Sequence, residues 1–208
     1  GCLPLRVWAS GLMDAAPDGD WVRAYFASPL PLEPGSRFVY NSGATYMLSA
    51  VIRKRTGLNL TEYLAQRLFQ PLGIVSRRWE TCPRGTEVGG WGFFLTTGEI
   101  ASFAQLLLDG GRRDGRQILP AAYVAEATSF QIDNSMNEQP DWKLGYGFQF
   151  WRSQHNAFRG DGAFGQYALV MPDQDACLAV TAGLGNMQDI LTLVWDLLLP
   201  AMRNAAPE

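Results

Sequence analysis

Lysine is nearly absent from this sequence: Lys54 and Lys143 stand against fifteen arginines. Histidine occurs once, as His155, and the three cysteines, Cys2, Cys82 and Cys177, lie far apart. Each scarcity removes a class of chemistry. With no Cys-x-x-Cys and no Cys/His cluster there is no zinc-type ligand set, and an odd, scattered cysteine count fits free thiols better than a disulfide framework. A Ser-His-Asp triad would have to use His155, which lies in the polar stretch WRSQHNAF, and no Gly-x-Ser-x-Gly elbow occurs. A solvated loop histidine is the expectation there. No apolar run reaches membrane-spanning length. No secretory leader is visible, although the first residue is glycine rather than methionine. The net charge of -3 gives no electrostatic footprint for nucleic acid or an anionic membrane. Bacterial cytoplasm and periplasm both stay open, as does the oligomeric state.

What is present is ordinary globular material: 208 residues, 47% hydrophobic, enough for one sizeable core. There is no internal repeat. Asp18 or Asp20 can cap a short helix, WVRAYFA, ended by Pro29 and Pro31. Apolar residues at 44, 47, 48, 51 and 52 mark one face of a helix over 43–55, closed by Gly57. Asn59 or Thr61 opens the helix TEYLAQRLFQ, expected to stop at Pro71. Residues 71–97 read as irregular around Gly89-Gly90-Trp91-Gly92. The helix EIASFAQLLLDGG ends at Gly110 and Gly111, RRDGRQIL reads as a turn with a short extended piece, and Pro120 opens the helix AAYVAEATSF.

The texture changes after 143. GYGFQFW alternates and is aromatic, the pattern of a strand. GAFGQYALVMP, DQD and ACLAVTAG read as a β-hairpin with Pro172-Asp173 in its turn. The last segment, MQDILTLVWDLLLPAM, is a helix apolar on nearly every side, which asks for burial against a sheet. The expected class is α+β, or α/β with a helical subdomain: 18–142 mainly helical, 143–208 antiparallel strands and a final helix. Three strands are few for so much apolar helix surface, so part of the sheet is expected to be absent from the chain.

Several short motifs have bland readings. Gly89-Gly90-Trp91-Gly92 lacks the strand–loop–helix setting of a phosphate loop and reads as a tight turn. Arg55-Thr56-Gly57 sits at a helix end, where Gly57 is a cap. Arg159-Gly160-Asp161 spells an adhesion tripeptide but leads into a strand. In Tyr40-Asn41-Ser42, either Asn41 or Ser42 can cap the helix that follows.

Taken together, however, stretches from about residue 9 to 203 resemble the serine β-lactamase and penicillin-binding-protein superfamily, and most of all class C β-lactamases and related esterases. ASGL at 9–12 looks like the segment downstream of the nucleophile helix. PGSRFVYNSGATYMLSAVIRKRTG looks like the second motif, Tyr-x-Asn or Tyr-x-Ser. LAQRLFQPLGI and GGWGFFLTTGEIASFAQLLLDGG are similar to the segments that follow, and GYGFQFW with FRGDGAFGQYALVMPDQDACLAVTAG to the strands of the third motif. The resemblance implies a β-lactamase/transpeptidase-like fold, an antiparallel sheet flanked by helices plus a helical subdomain. It also implies acyl transfer to a serine from Ser-x-x-Lys, with no cofactor or metal and with a small ester, amide or β-lactam-like substrate.

Carried over, Tyr40 takes the general acid/base position and Ser42 the short polar position of the second motif. A tyrosine of ordinary pKa near 10 needs cations beside it to act as a base near neutrality. Gly160-Asp161-Gly162 takes the third-motif position, usually Lys-x-Gly or His-x-Gly. Here its cationic residue is glycine, and Arg159 should point to the opposite face of the strand. Gly162 would let substrate approach the strand, and the Ala163 N–H would be one oxyanion donor. Ser-x-x-Lys is absent: Val51 stands three before Lys54, and Pro140 three before Lys143. The expectation is therefore the C-terminal part of a larger hydrolase, lacking the nucleophile and the first strands of the sheet. The alternative is a non-catalytic relative that binds peptide or acyl ligands.

Overall fold

A computed structural model describes residues 16–29 and 31–205. The ASGL segment and Cys2 lie outside the described residues. The chain forms two compact units that divide between Leu95 and Thr96.

The first unit is built on helices. Asp20 caps α1 (Trp21–Ala27) by accepting from the Arg23 N–H. Helix α2 (Ser42–Thr56) runs one residue further at each end than its apolar spacing indicates. It closes on Gly57 in the left-handed conformation, whose N–H donates to the Arg53 carbonyl. Glu62 in the first turn of α3 (Leu60–Leu64) accepts from the Asn59 N–H, half of a capping box. Pro71 does not end this helical stretch. A π turn (Ala65–Phe69) leads into α4 (Gln70–Leu72), and Gly73 at φ 67° closes it. A proline ring collides with the carbonyl four residues back, and a widened turn relieves that collision without breaking the helix. The core of this unit is aromatic: Trp21 meets Tyr46 edge-on and packs against Trp91, with Cys82 and Val88 beneath.

The second unit places helices on both faces of a sheet. Thr96 and Glu99 form a capping box at the start of α5 (Thr97–Leu108). A hairpin of β1 (Arg112–Arg113) and β2 (Arg116–Gln117) follows, then α6 (Ala121–Thr128). The main sheet is antiparallel in the order β3 (Trp151–Arg152), β4 (Phe158–Gly162), β5 (Gln166–Met171), β6 (Ala176–Val180). The GYGFQFW stretch is not one strand. Tyr146 makes isolated bridges to Ile132 and Trp151, and Gln149 at φ 69° turns the chain back between them. Close packing forces this: a Cβ on Gly147 would stand 2.1 Å from the Ala127 carbonyl oxygen. The β5–β6 hairpin turns through a 3-10 segment, Pro172–Gln174.

The alternation of β5 gives the sheet two buried faces. Ala168 and Val170 pack with Ala104 and Leu107 of α5. Tyr167, Leu169 and Met171 pack with α7 (Gln188–Leu193), a π turn (Val194–Leu198) and α8 (Leu199–Ala205) through Leu191, Val194, Trp195 and Leu199. This second π turn again precedes a proline, Pro200. Leu193, Leu197 and Leu198 remain exposed on the same helical run. No described helix is long and apolar enough to cross a membrane.

Candidate active site

Tyr40 immediately precedes the cap of α2, outside any helix or strand, and is 38% exposed. The cap of α2 is Asn41, whose side-chain oxygen accepts from the Ala44 N–H at 3.1 Å. Ser42 is the first helical residue, so capping is not its job. Tyr46, one turn further, is a different kind of tyrosine. It is buried, it donates to the Cys82 sulfur at 3.4 Å, and burial drives its phenol far above its ordinary pKa.

The Gly-Gly turn lies directly on the start of this helix. A Cβ on Gly90 would stand 2.9 Å from the Ser42 carbonyl oxygen. One on Gly89, already at φ 69°, would stand 3.1 Å from the Ser49 Cβ. Only glycine allows that approach. Glu87 locks the turn from behind: its carboxylate accepts from the N–H and hydroxyl of Thr61, and its carbonyl accepts from Ser49. This buried acid has a structural task that the polar, irregular look of residues 71–97 gave no sign of. Lys54 lies on the last turn of α2, twelve residues from Ser42, or about 18 Å at the α-helical rise.

In the second unit, β4 pairs with β5 so that Arg159 opposes Leu169, Gly160 opposes Ala168 and Asp161 opposes Tyr167. Arg159 and Asp161 therefore share the face that packs on the C-terminal helices, while Gly160 and Gly162 share the other. Nothing lies within 4 Å of a Cβ added at Gly160, so that face is open there. Ala163 is exposed and starts the turn to β5, in which Phe164 and Gly165 both have positive φ. The Ala163 carbonyl accepts from the Gln166 side chain at 3.2 Å.

Arg159 is fully buried, 4.4 Å from the Trp142 ring centroid, and donates to the Asp141 carbonyl and the Ser153 hydroxyl. It is paired with Asp161 at 3.2 Å. Burial pushes the Asp161 carboxyl up to about 6, against the pull of Arg159. The adhesion tripeptide is thus the inside of a strand. His155 is exposed at φ 54° in the β3–β4 turn, its ring 5.2 Å from that of Trp195, in keeping with a loop histidine.

These elements, helices on both faces of an antiparallel sheet plus a mainly helical unit, define a β-lactamase/transpeptidase-like fold. The family described as Beta-lactamase matches residues 6–189, and the chain belongs to that family. Among solved structures it is similar to a Bacillus anthracis protein named for 6-aminohexanoate-dimer hydrolase, at 21% identity and a TM-score of 0.73. That match covers 96% of this chain and 54% of the other. A β-lactamase from Mycobacterium bovis matches at 21% identity and TM-score 0.68, over 95% of this chain and 72% of that one. Simvastatin synthase from Aspergillus terreus matches at 17% identity and TM-score 0.65, over 97% and 68%. The chain thus spans about half the length of the first of these relatives. No curated protein sequence matches it.

Proposed function

We propose that this chain carries the second and third motifs of a serine hydrolase that works through an acyl-enzyme on ester, amide or β-lactam substrates, and that its Ser-x-x-Lys nucleophile lies outside these 208 residues. Tyr40 is the proton-handling group and Ser42 the short polar partner beside it. Of the Gly160-Asp161-Gly162 strand, Gly160 and Gly162 face the substrate while the Asp161 side chain is turned to the other face, and the Ala163 N–H is one oxyanion donor. The observation that carries the reading is the division of labour at the start of α2. Asn41 takes the cap, Ser42 is relieved of it, and the Gly89–Gly90 turn is pressed against Ser42 with no side chain between.

A second reading, a cleft that binds acyl or peptide ligands without turning them over, is favoured by one observation. Arg159 is turned into the core and Gly160 carries no charge, so the open face of β4 offers no cation for a substrate carboxylate.

The test is to sequence the DNA ahead of the Gly1 codon and express any in-frame extension with this chain. An extension holding Ser-x-x-Lys should confer ester hydrolysis that Tyr40→Phe lowers by about 10²–10⁴-fold, the usual worth of a general acid/base. The 208 residues alone should hydrolyse esters no faster than their own Tyr40→Phe variant. A clear rate difference within the 208-residue pair, or an extension without the motif, overturns the proposal. Without the motif, the binding reading takes its place.

A further inference from the structure

A Gly-x-Gly strand end is poorly suited to holding a fixed shape. Two of its three residues bring no side chain to pack, and glycine loses more backbone freedom on ordering than any other residue. The middle residue, Asp161, is itself a poor strand former. Yet β4 keeps its register with β5 through Gly162–Gln166. Something other than propensity must hold it.

The holding contact is beneath the strand. Asp161 points into the sheet's packed face with its side chain only 9% exposed, and its Oδ2 lies 3.2 Å from Nη2 of Arg159, which is wholly buried. Arg159 cannot shift easily, because Nη1 is fixed by the Asp141 carbonyl at 2.9 Å and the Ser153 hydroxyl at 2.6 Å, and its plane lies over Trp142. Two contacts to Asp161 remain, a hydrogen bond from Trp151 on β3 and the ion pair with Arg159. Neither Asp161 Oδ2 nor Arg159 Nη2 has a hydrogen-bond partner among the described residues. The strength of the ion pair therefore depends on charge.

We propose that Asp161 is a positioning residue, which through its ion pair with the fixed Arg159 guanidinium clamps the underside of β4 and so sets the substrate-facing backbone of Gly160, Gly162 and Ala163. This rests on the reading of that strand as the third motif. The clamp holds while Asp161 is ionised. A proton on its carboxylate removes that attraction and leaves the strand end held by the ladder and the Trp151 contact. Asp161 faces Arg159 on its own strand and Tyr167 on β5, and Asp141 on the 3-10 turn Pro140–Trp142 acts on both of these in turn. The C-terminal helices contribute Gln188 and Trp195, which do not titrate and are bonded to Asp141. Burial raises Asp161 to about 6, so the change falls in an accessible range.

The test is NMR on the 208-residue chain between about pH 4.5 and 8. The Asp161 carboxyl carbon and the amides of Gly160, Gly162 and Ala163 should move together with one midpoint. Amide protection along Gly160–Gly162 should fall by about tenfold on the acid side, as expected on losing one charge-assisted buried contact. Asp161→Asn should flatten the amide response. If that variant does not fold, Arg159→Met with Asp161→Leu removes both charges together and should give the same flat response, with the Gly160–Ala163 shifts displaced from those of the wild type. The clamp is overturned if the wild-type amides stay still while Asp161 titrates, or if they titrate unchanged in either variant. Neither readout uses hydrolysis. An extended protein that fails to turn over esters removes the substrate role, and silent amides remove the clamp.

Discussion

Asp141 offers the sharpest test of how the second unit is held together. It is fully buried, and its carboxylate accepts four hydrogen bonds: Oδ1 from the Gln154 N–H at 3.0 Å, and Oδ2 from the side chains of Gln154, Gln188 and Trp195 at 2.8–3.0 Å. Through them one side chain ties the 3-10 turn, the β3–β4 turn and α7 with its following π turn. Asp141→Asn keeps the size but replaces one acceptor with a donor. Either way the amide is turned, at least one buried N–H then faces another N–H. Losing a charge-assisted hydrogen bond costs about 1.5–3 kcal/mol, and stranding a buried donor adds about 1–3 kcal/mol, for an expected loss of roughly 3–5 kcal/mol. Burial alone would raise the Asp141 carboxyl, but its hydrogen bonds outweigh burial and hold it below its ordinary value. Its contribution is therefore complete above the unfolded value of 3.8 and is lost as pH falls through the lower folded value. Urea unfolding, followed by exchange of the β5 amides so that the second unit is read directly, should show the penalty constant above about pH 5 and shrinking below about pH 4. A penalty under about 1 kcal/mol, or one that grows toward acid, refutes the account.

Two further substitutions probe the local arguments. Asn41→Ala should cost about 1 kcal/mol, because it removes the N-cap acceptor of α2, while Ser42→Ala should change stability by less than about half of that; thermal unfolding compares the two. Gly160→Lys should fold with little change in midpoint, since the space around its Cβ is open. Gly147→Ala should be strongly destabilised by a Cβ 2.1 Å from the Ala127 oxygen. Circular dichroism melts of the pair decide whether that contrast holds.

Much of the fold was legible where the pattern is local. The apolar spacing of α2 with Gly57 behind it, and the β5–β6 hairpin with Pro172 in its turn, follow from period and turn chemistry, and the structure departs from them only at the ends. Proline is a local stop signal, yet at Pro71 the helical stretch continues. Whether a widened turn can carry the chain through depends on packing beyond the local pattern. GYGFQFW misled because its alternation is real but its glycines serve close approach to Ala127 and Phe130, not a pleated ladder. The buried polar network was invisible for a simple reason. Nothing local in PDWKLG marks Asp141 as buried, and only the tertiary fold brings Gln154, Gln188 and Trp195 to it.

Strand β4, proposed above as the third motif, shows the same divide within four residues. A period of two says that Arg159 and Asp161 share one face and Gly160 and Gly162 the other. It cannot say which face is inside, because Arg-Gly-Asp-Gly contains no apolar side chain to mark it. The mark is on the partner strand, where Leu169 opposite Arg159 and Tyr167 opposite Asp161 are both buried under the C-terminal helices. Charge is thus taken to the core side and the bare backbone left on the open side. That arrangement leaves the open face of β4 without a charged side chain, and it supplies an ion pair beneath a strand that glycine would otherwise loosen.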